Sequence, residues 1–119
     1  MSNRKTVCLD FDGVFNNYDG WKGPDELFDP RPGILKFLIA LNGAGYTVVI
    51  HSTRSPESIW EWLEGFHLDI LVEQVTNNKP PALAYIDDRA IRFDGDYDAV
   101  FRELESFRAY WEKPNEGDV

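Results

Sequence analysis

Cysteine occurs once, methionine once and histidine twice in the 119 residues, and each scarcity removes a class of chemistry. With Cys8 alone, no intrachain disulfide can form. Cys8, His51 and His67 supply no tetrahedral nitrogen and sulfur set, so zinc is not expected. Cys8 lies inside an apolar run and reads as a small core residue rather than a nucleophile. Basic residues are also few, 12 Lys and Arg against 21 Asp and Glu, for a formal net charge of −9. That balance argues against an extended nucleic acid, whose backbone needs a basic face. No apolar run approaches the ~20 residues of a membrane span. Residues 1–5 lack the apolar core of a secretory signal, so the expected setting is the cytoplasm, with no membrane partner.

What the chain has is apolar and aromatic surface: 43% hydrophobic residues, including eight Phe, five Tyr and four Trp. Over this length that suits one domain with one core, residues 1–119, with 113–119 as a frayed tail. Strand and helix patterns alternate along it. Residues 6–12 read as a buried strand, and 13–31 as a flap, a loop of turn formers longer than most connections. A helix is predicted over 32–42, with Pro32 in its first turn and Ile34, Leu35, Phe37, Leu38 and Leu41 on its apolar stripe. Residues 46–50 make a second strand. Ser55-Pro56-Glu57 then starts a helix that buries Ile59, Trp62, Leu63 and Phe66. Further strands are expected over 70–75 and 83–86, with a short one at 91–93. A last helix over 97–112 is expected to bury Val100, Leu104, Phe107 and Trp111.

This alternation predicts an α/β fold, a Rossmann-like three-layer sandwich around a mainly parallel sheet. Functional groups in such sheets gather beyond the carboxyl ends of the strands. Asp10 and Asp12 end the first strand, two positions apart, with Gly13 allowing a sharp turn. Ser52 follows the second strand, Lys79 precedes the fourth, and Asp87 and Asp88 close it. Four carboxylates on one rim repel unless a cation compensates, and hard oxygen ligands suit magnesium. A lysine and a hydroxyl beside them complete the groups that phosphoryl transfer requires.

In this order the residues resemble the haloacid dehalogenase (HAD) superfamily. Asp10-Phe11-Asp12-Gly13-Val14 is similar to its first motif, Val48-Val49-Ile50-His51-Ser52 to the second, Lys79 to the third and Ile86-Asp87-Asp88 to the fourth. The resemblance covers about residues 6–93. It implies a small phosphatase-like member in which Asp10 is the nucleophile and forms an aspartyl-phosphate. Asp12 would be the general acid and then the base, while Ser52 or Thr53, with Lys79, would bind the phosphoryl group. Magnesium would be held by Asp10, the Asp12 backbone carbonyl, Asp87 and Asp88. Gly13, Arg54, Trp21 and Lys22 are the remaining expected substrate contacts. Neither the 13–31 loop nor the stretch from Ser52 to Lys79 has room for a cap domain. An open site fits a bulky or nucleotide-type phosphomonoester, or closure by a second subunit, so a homodimer is among the expected partners. The alternative function is a non-catalytic phosphoacceptor or phospho-ligand binding domain.

Overall fold

The computed structural model describes residues 5–112. The elements run β1 (Thr6–Asp10), α1 (Ile34–Gly43), β2 (Thr47–His51), α2 (Pro56–Gly65), β3 (Gln74–Thr76), β4 (Ala84–Ile86) and α3 (Tyr97–Ser106), with a 3-10 turn over Asp69–Leu71. The strands form one sheet in the order β3-β2-β1-β4, and every pairing is parallel. This is the Rossmann-like α/β fold that the alternating pattern predicts, without a cap domain among the described residues. No helix among them is long and apolar enough to cross a membrane.

Alternation along the strands decides what each face meets. Val7 and Leu9 stand in register with Val48 and Ile50. On that face they share one core cluster with Ile34 and Leu38 of α1 and with Ile59, Trp62 and Leu63 of α2. Cys8 and Val49, also in register, point to the opposite face. The connection from β3 to β4 runs there: Lys79 Nζ lies 4.4 Å from the centre of the Tyr85 ring, and the Tyr85 hydroxyl donates to the Pro80 carbonyl at 2.6 Å.

The helix ends follow local chemistry. Ser55 caps α2 by accepting from the Ser58 amide, with Pro56 in the first turn, as its sequence predicts. At the end of α1, Tyr46 donates to Leu41 O and Gly45 to Asn42 O, the Schellman pair; Gly45 takes the left-handed φ of +88° that this closure needs.

Several expectations are corrected. Strand β1 stops at Asp10, because Phe15 donates to Phe11 O and turns the chain after it. Helix α1 begins at Ile34 behind a left-handed Gly33, which leaves Pro32 outside it. Its wide stripe is only partly used: Ile34 and Leu38 are buried, whereas Leu35 and Phe37 are exposed, and so is Phe66 at the end of α2. Residues 70–72 are not strand. Leu71 donates to Leu68 O and Val72 to Asp69 O, so this run curls, and β3 starts only at Gln74. A three-residue apolar run cannot by itself distinguish strand from turn. Residues 91–93 form no strand, and α3 ends at Ser106 instead of reaching 112. No α3 residue is buried; Leu104 is 59% exposed. Phe107 stays exposed, while Trp111 lies beyond the helix and is only partly buried. The tail expected over 113–119 lies outside the described residues.

The core assignment has a direct test. Phe11 is fully buried, edge-on to Trp62 at 4.9 Å between ring centres. Phe11→Ala is expected to cost about 3–5 kcal/mol in urea unfolding. Ile70 is 84% exposed. Ile70→Ala should stay within about 0.5 kcal/mol of the parent, where a buried strand position would lose several times that.

Candidate functional site

Parallel pairing of β1 with both neighbours sets the site. Asp10 is in register with His51 at the end of β2, and Leu9 with Ile86, the last residue of β4. Asp10, His51 and the Asp87-Asp88 pair therefore emerge at one edge. A pocket of about 310 Å³ opens there, lined by Asp10, Asp12, Tyr18, His51, Ser52, Thr53, Asp87, Asp88 and Arg89.

Carboxylate oxygens of Asp10, Asp87 and Asp88 lie within 4.8 Å of one another. That spread matches oxygens sharing one hard divalent cation at about 2.0–2.6 Å each. Their crowding carries an electrostatic consequence. Burial, a hydrogen bond shared with Asp88 and the charges of Asp87 and Asp88 push the Asp10 carboxyl up to about 8, against a small opposing effect from the Phe11 amide. The crowding therefore favours a proton on Asp10 when no cation is among the three carboxylates. A dication would take that proton's place.

Asp12 is not part of this trio. It sits past the end of β1, and its carboxylate accepts from Arg54 Nε at 2.8 and 3.0 Å and from Asn16 Nδ2 at 3.0 Å. Ser52 is nearly buried, and its hydroxyl oxygen accepts from the Arg54 amide at 3.1 Å, which leaves the hydroxyl hydrogen free to donate into the pocket. Asn77 holds this turn from beneath, donating to Ser52 O at 2.8 Å and Arg54 O at 2.9 Å. Thr53 also lines the pocket, so both candidate residues stand at it.

Gly13 contributes through its backbone. It adopts φ +85°, and a Cβ there would run into the Asp88 carboxylate. Lys79 does not line the pocket. It lies in an adjoining recess with Cys8 and Tyr85, sharing Asp10, His51 and Asp87 with the main pocket as common walls. Cys8 in that recess is buried, and its thiol is raised by burial and by Asp10 and Asp87, as befits an inert core residue.

The expected substrate contacts Arg54, Trp21 and Lys22 are placed differently. Arg54 is buried and turned toward the flap. Trp21 is exposed and stands against the Arg54 guanidinium at 4.8 Å from the ring centre. Lys22 pairs with Asp19 at 3.2 Å. None of the three lines the pocket.

Sequence reading missed five residues. Asn16 is fully buried; its side chain accepts from the Gly13 amide at 2.9 Å and donates to Asp12 and to Leu27 O at 2.8 Å. Tyr18 forms part of the wall and meets Trp111 edge-on at 4.8 Å. Trp111 donates its indole N–H to Asp88, and Tyr110 donates to Gly13 O. Arg89 lies over the Trp111 ring at 5.0 Å. The segment after α3 thus returns to the acidic edge, a closure that no local pattern signals.

The raised Asp10 carboxyl gives a signed pH dependence. Folded protein holds this proton more tightly than unfolded chain, whose carboxyl titrates near 3.8. Stability from this group is present below about 4 and is lost as pH rises toward and through about 8. In chelator, the melting temperature is expected to fall across that window. Added magnesium should raise it more at pH 8 than at pH 5, as a cation competing with the proton requires. The Asp10→Asn protein should lose most of this pH dependence.

No protein-family model and no curated protein matches the chain. A solved structure of a conserved protein from Bacteroides thetaiotaomicron is similar, with 19% identity, a TM-score of 0.58 and coverage of 88% of this chain and 93% of that one. At this identity the likeness shows a shared α/β fold and nothing about chemistry.

Proposed function

We propose that the protein is a magnesium-dependent phosphohydrolase of the HAD superfamily, acting on a phosphomonoester through an aspartyl-phosphate. The observation that carries this reading is the joint placement of Asp10, Asp87 and Asp88 around one point, beside the Ser52 hydroxyl, at the carboxyl edge of a parallel sheet. Bound there, magnesium would neutralise charge on the transferring group and favour the ionised Asp10.

In this mechanism the Asp10 carboxylate attacks phosphorus. The new Asp10–phosphorus bond forms as the ester oxygen leaves, and Asp12 gives that oxygen its proton. Asp12 then takes a proton from water, which attacks the aspartyl-phosphate; inorganic phosphate leaves and the Asp10 carboxylate returns. Ser52 donates to a phosphoryl oxygen. Lys79 is assigned to a second phosphoryl oxygen, which requires its side chain to turn away from the Tyr85 ring. The open pocket suits a bulky or nucleotide-type substrate in the cytoplasm. No single one of these contributions approaches the acceleration that phosphomonoester hydrolysis demands, so positioning and charge must act together.

One observation favours the second reading, a non-catalytic phosphoacceptor or phospho-ligand domain. The Asp12 carboxylate is already engaged by Arg54 and Asn16, so its proton-transfer work requires those bonds to yield. A panel of phosphorylated metabolites, nucleotides and phosphopeptides, assayed with magnesium, separates the two. Multiple turnovers that vanish in chelator and in Asp10→Asn support the phosphatase. A stable phosphoryl group on Asp10 without turnover supports the acceptor.

We propose a second copy of the chain as the partner of the α3 face. Tyr97, Phe101 and Leu104 lie on one stripe and are 80%, 68% and 59% exposed, with the Phe93 ring tilted against Tyr97 at 4.9 Å between centres. At roughly 150–250 Å² for each full aromatic side chain, the exposed stripe amounts to about 500 Å². That is near the upper end for the largest patch on a monomer, and two copies would bury about the 1,000 Å² a specific interface needs. The native protein is expected to sediment as a dimer and Phe101→Glu as a monomer; a monomeric native protein would refute the pairing.

A further inference from the structure

We propose that Arg54 is a positioning residue that makes closure of the flap and orientation of Asp12 a single event. Its catalytic consequence rests on the phosphatase reading; the coupling itself does not. The guanidinium is divided between two clients. Nε–H donates to both Asp12 oxygens, at 2.8 and 3.0 Å. The terminal nitrogens donate to flap carbonyls, Glu26 O at 3.1 Å and Pro24 O at 3.5 Å. Trp21, also from the flap, covers the guanidinium plane. The Arg54 side chain is 3% exposed, so its charge is balanced by Asp12 and little by water.

The rest of the surroundings make this pivot stiff. The Arg54 backbone is tied to Ser52 through its amide and to Asn77 through its carbonyl. The base of the flap is closed by Asn17 donating to Asp29 O and Arg31 to Phe15 O, and its far side by Trp62 donating to Phe28 O at 2.8 Å. Between these anchors Tyr18 meets Trp111, and the stretch 19–26 reaches the body chiefly through Arg54, by way of Trp21, Pro24 and Glu26. If the flap lifts, the guanidinium loses its carbonyl partners and Trp21, and its grip on Asp12 is left with fewer constraints. If Asp12 loses its charge, the buried guanidinium loses its counter-ion, and a buried charge without a partner is strongly unfavourable. Each end therefore biases the other, as linkage requires. A lysine's three donors radiate from one nitrogen, with no planar fork to span from Asp12 at the Nε side to the flap carbonyls at the terminal nitrogens.

The coupling is read by trypsin cleavage after Lys22, measured by mass spectrometry relative to cleavage after Lys36 in α1. Asp12→Ala is expected to raise the Lys22 rate about tenfold, as local opening rises. In an Arg54→Met background, adding Asp12→Ala should change it less than twofold, because the link is already cut. Arg54→Lys covers the case in which Arg54→Met fails to fold, and should show the same loss of coupling. An unchanged Lys22 rate in Asp12→Ala overturns the proposal, as does an undiminished Asp12→Ala effect without Arg54; the latter would give the coupling to Asn16.

The catalytic arm compares leaving groups. An alkyl phosphate needs a proton from Asp12 and a nitrophenyl phosphate does not. Arg54→Lys should lower kcat on the alkyl ester at least tenfold more than on the aryl ester. Equal losses on both would make Arg54 merely structural and overturn its positioning role. Should the native protein hydrolyse neither ester, the phosphatase reading fails, while the cleavage rates still decide the coupling.

Discussion

Everything at the carboxyl edge depends on the crowding of like charge around Asp10. Three carboxylates within 4.8 Å are a stable arrangement only when a proton or a cation sits among them. The sheet forces this crowding. β1 lies between β2 and β4, so its last residue cannot avoid the ends of both neighbours. The remaining contacts of the site restrain the crowded carboxylates: Trp111 donates to Asp88, the Arg89 amide donates to Asp87 at 2.8 Å, and the Phe11 amide donates to Asp10 at 2.9 Å. Donors placed this way stabilise carboxylate charge and hold its direction.

Asp12 belongs to a different environment, although it is only two residues away. A guanidinium and an amide surround it, while Asp10 faces other acids. Separating two carboxylates into a crowded and a compensated setting is how one site can assign them different work. The separation comes from the turn after Asp10. Had the strand continued, alternation would have directed both side chains to the same face. Instead Phe11 enters the core, Gly13 takes a left-handed φ against Asp88, and Asp12 swings toward Arg54.

The two faces of the sheet are unequally served. α1 and α2 share one face with the main core. β4 is exposed along its length, and α3 offers a stripe of Tyr97, Phe101 and Leu104 that meets no core residue. The free stripe and the segment that follows it have different tasks. The helix presents apolar surface, whereas Tyr110 and Trp111 reach back to Gly13 and Asp88. The α3 stripe is therefore only a few residues from the segment that reaches the acidic edge.

Composition and local pattern alone determined the alternation of strand and helix, the parallel sheet, the Ser55 cap and the acids that end β1 and β4. Those features depend on side-chain period and on short-range turn chemistry, which the chain carries residue by residue. Only the tertiary structure decided that Arg54 would hold both Asp12 and the flap, that Lys79 would stand in a neighbouring recess, and that Trp111 would reach Asp88 from 23 positions away. It also decided that residues 70–72 curl and that the apolar stripe of α3 stays in the open. The physical reason is the same in each case. An apolar or charged side chain states what kind of neighbour it needs, but which neighbour arrives is set by segments distant in sequence, and no local pattern records their approach.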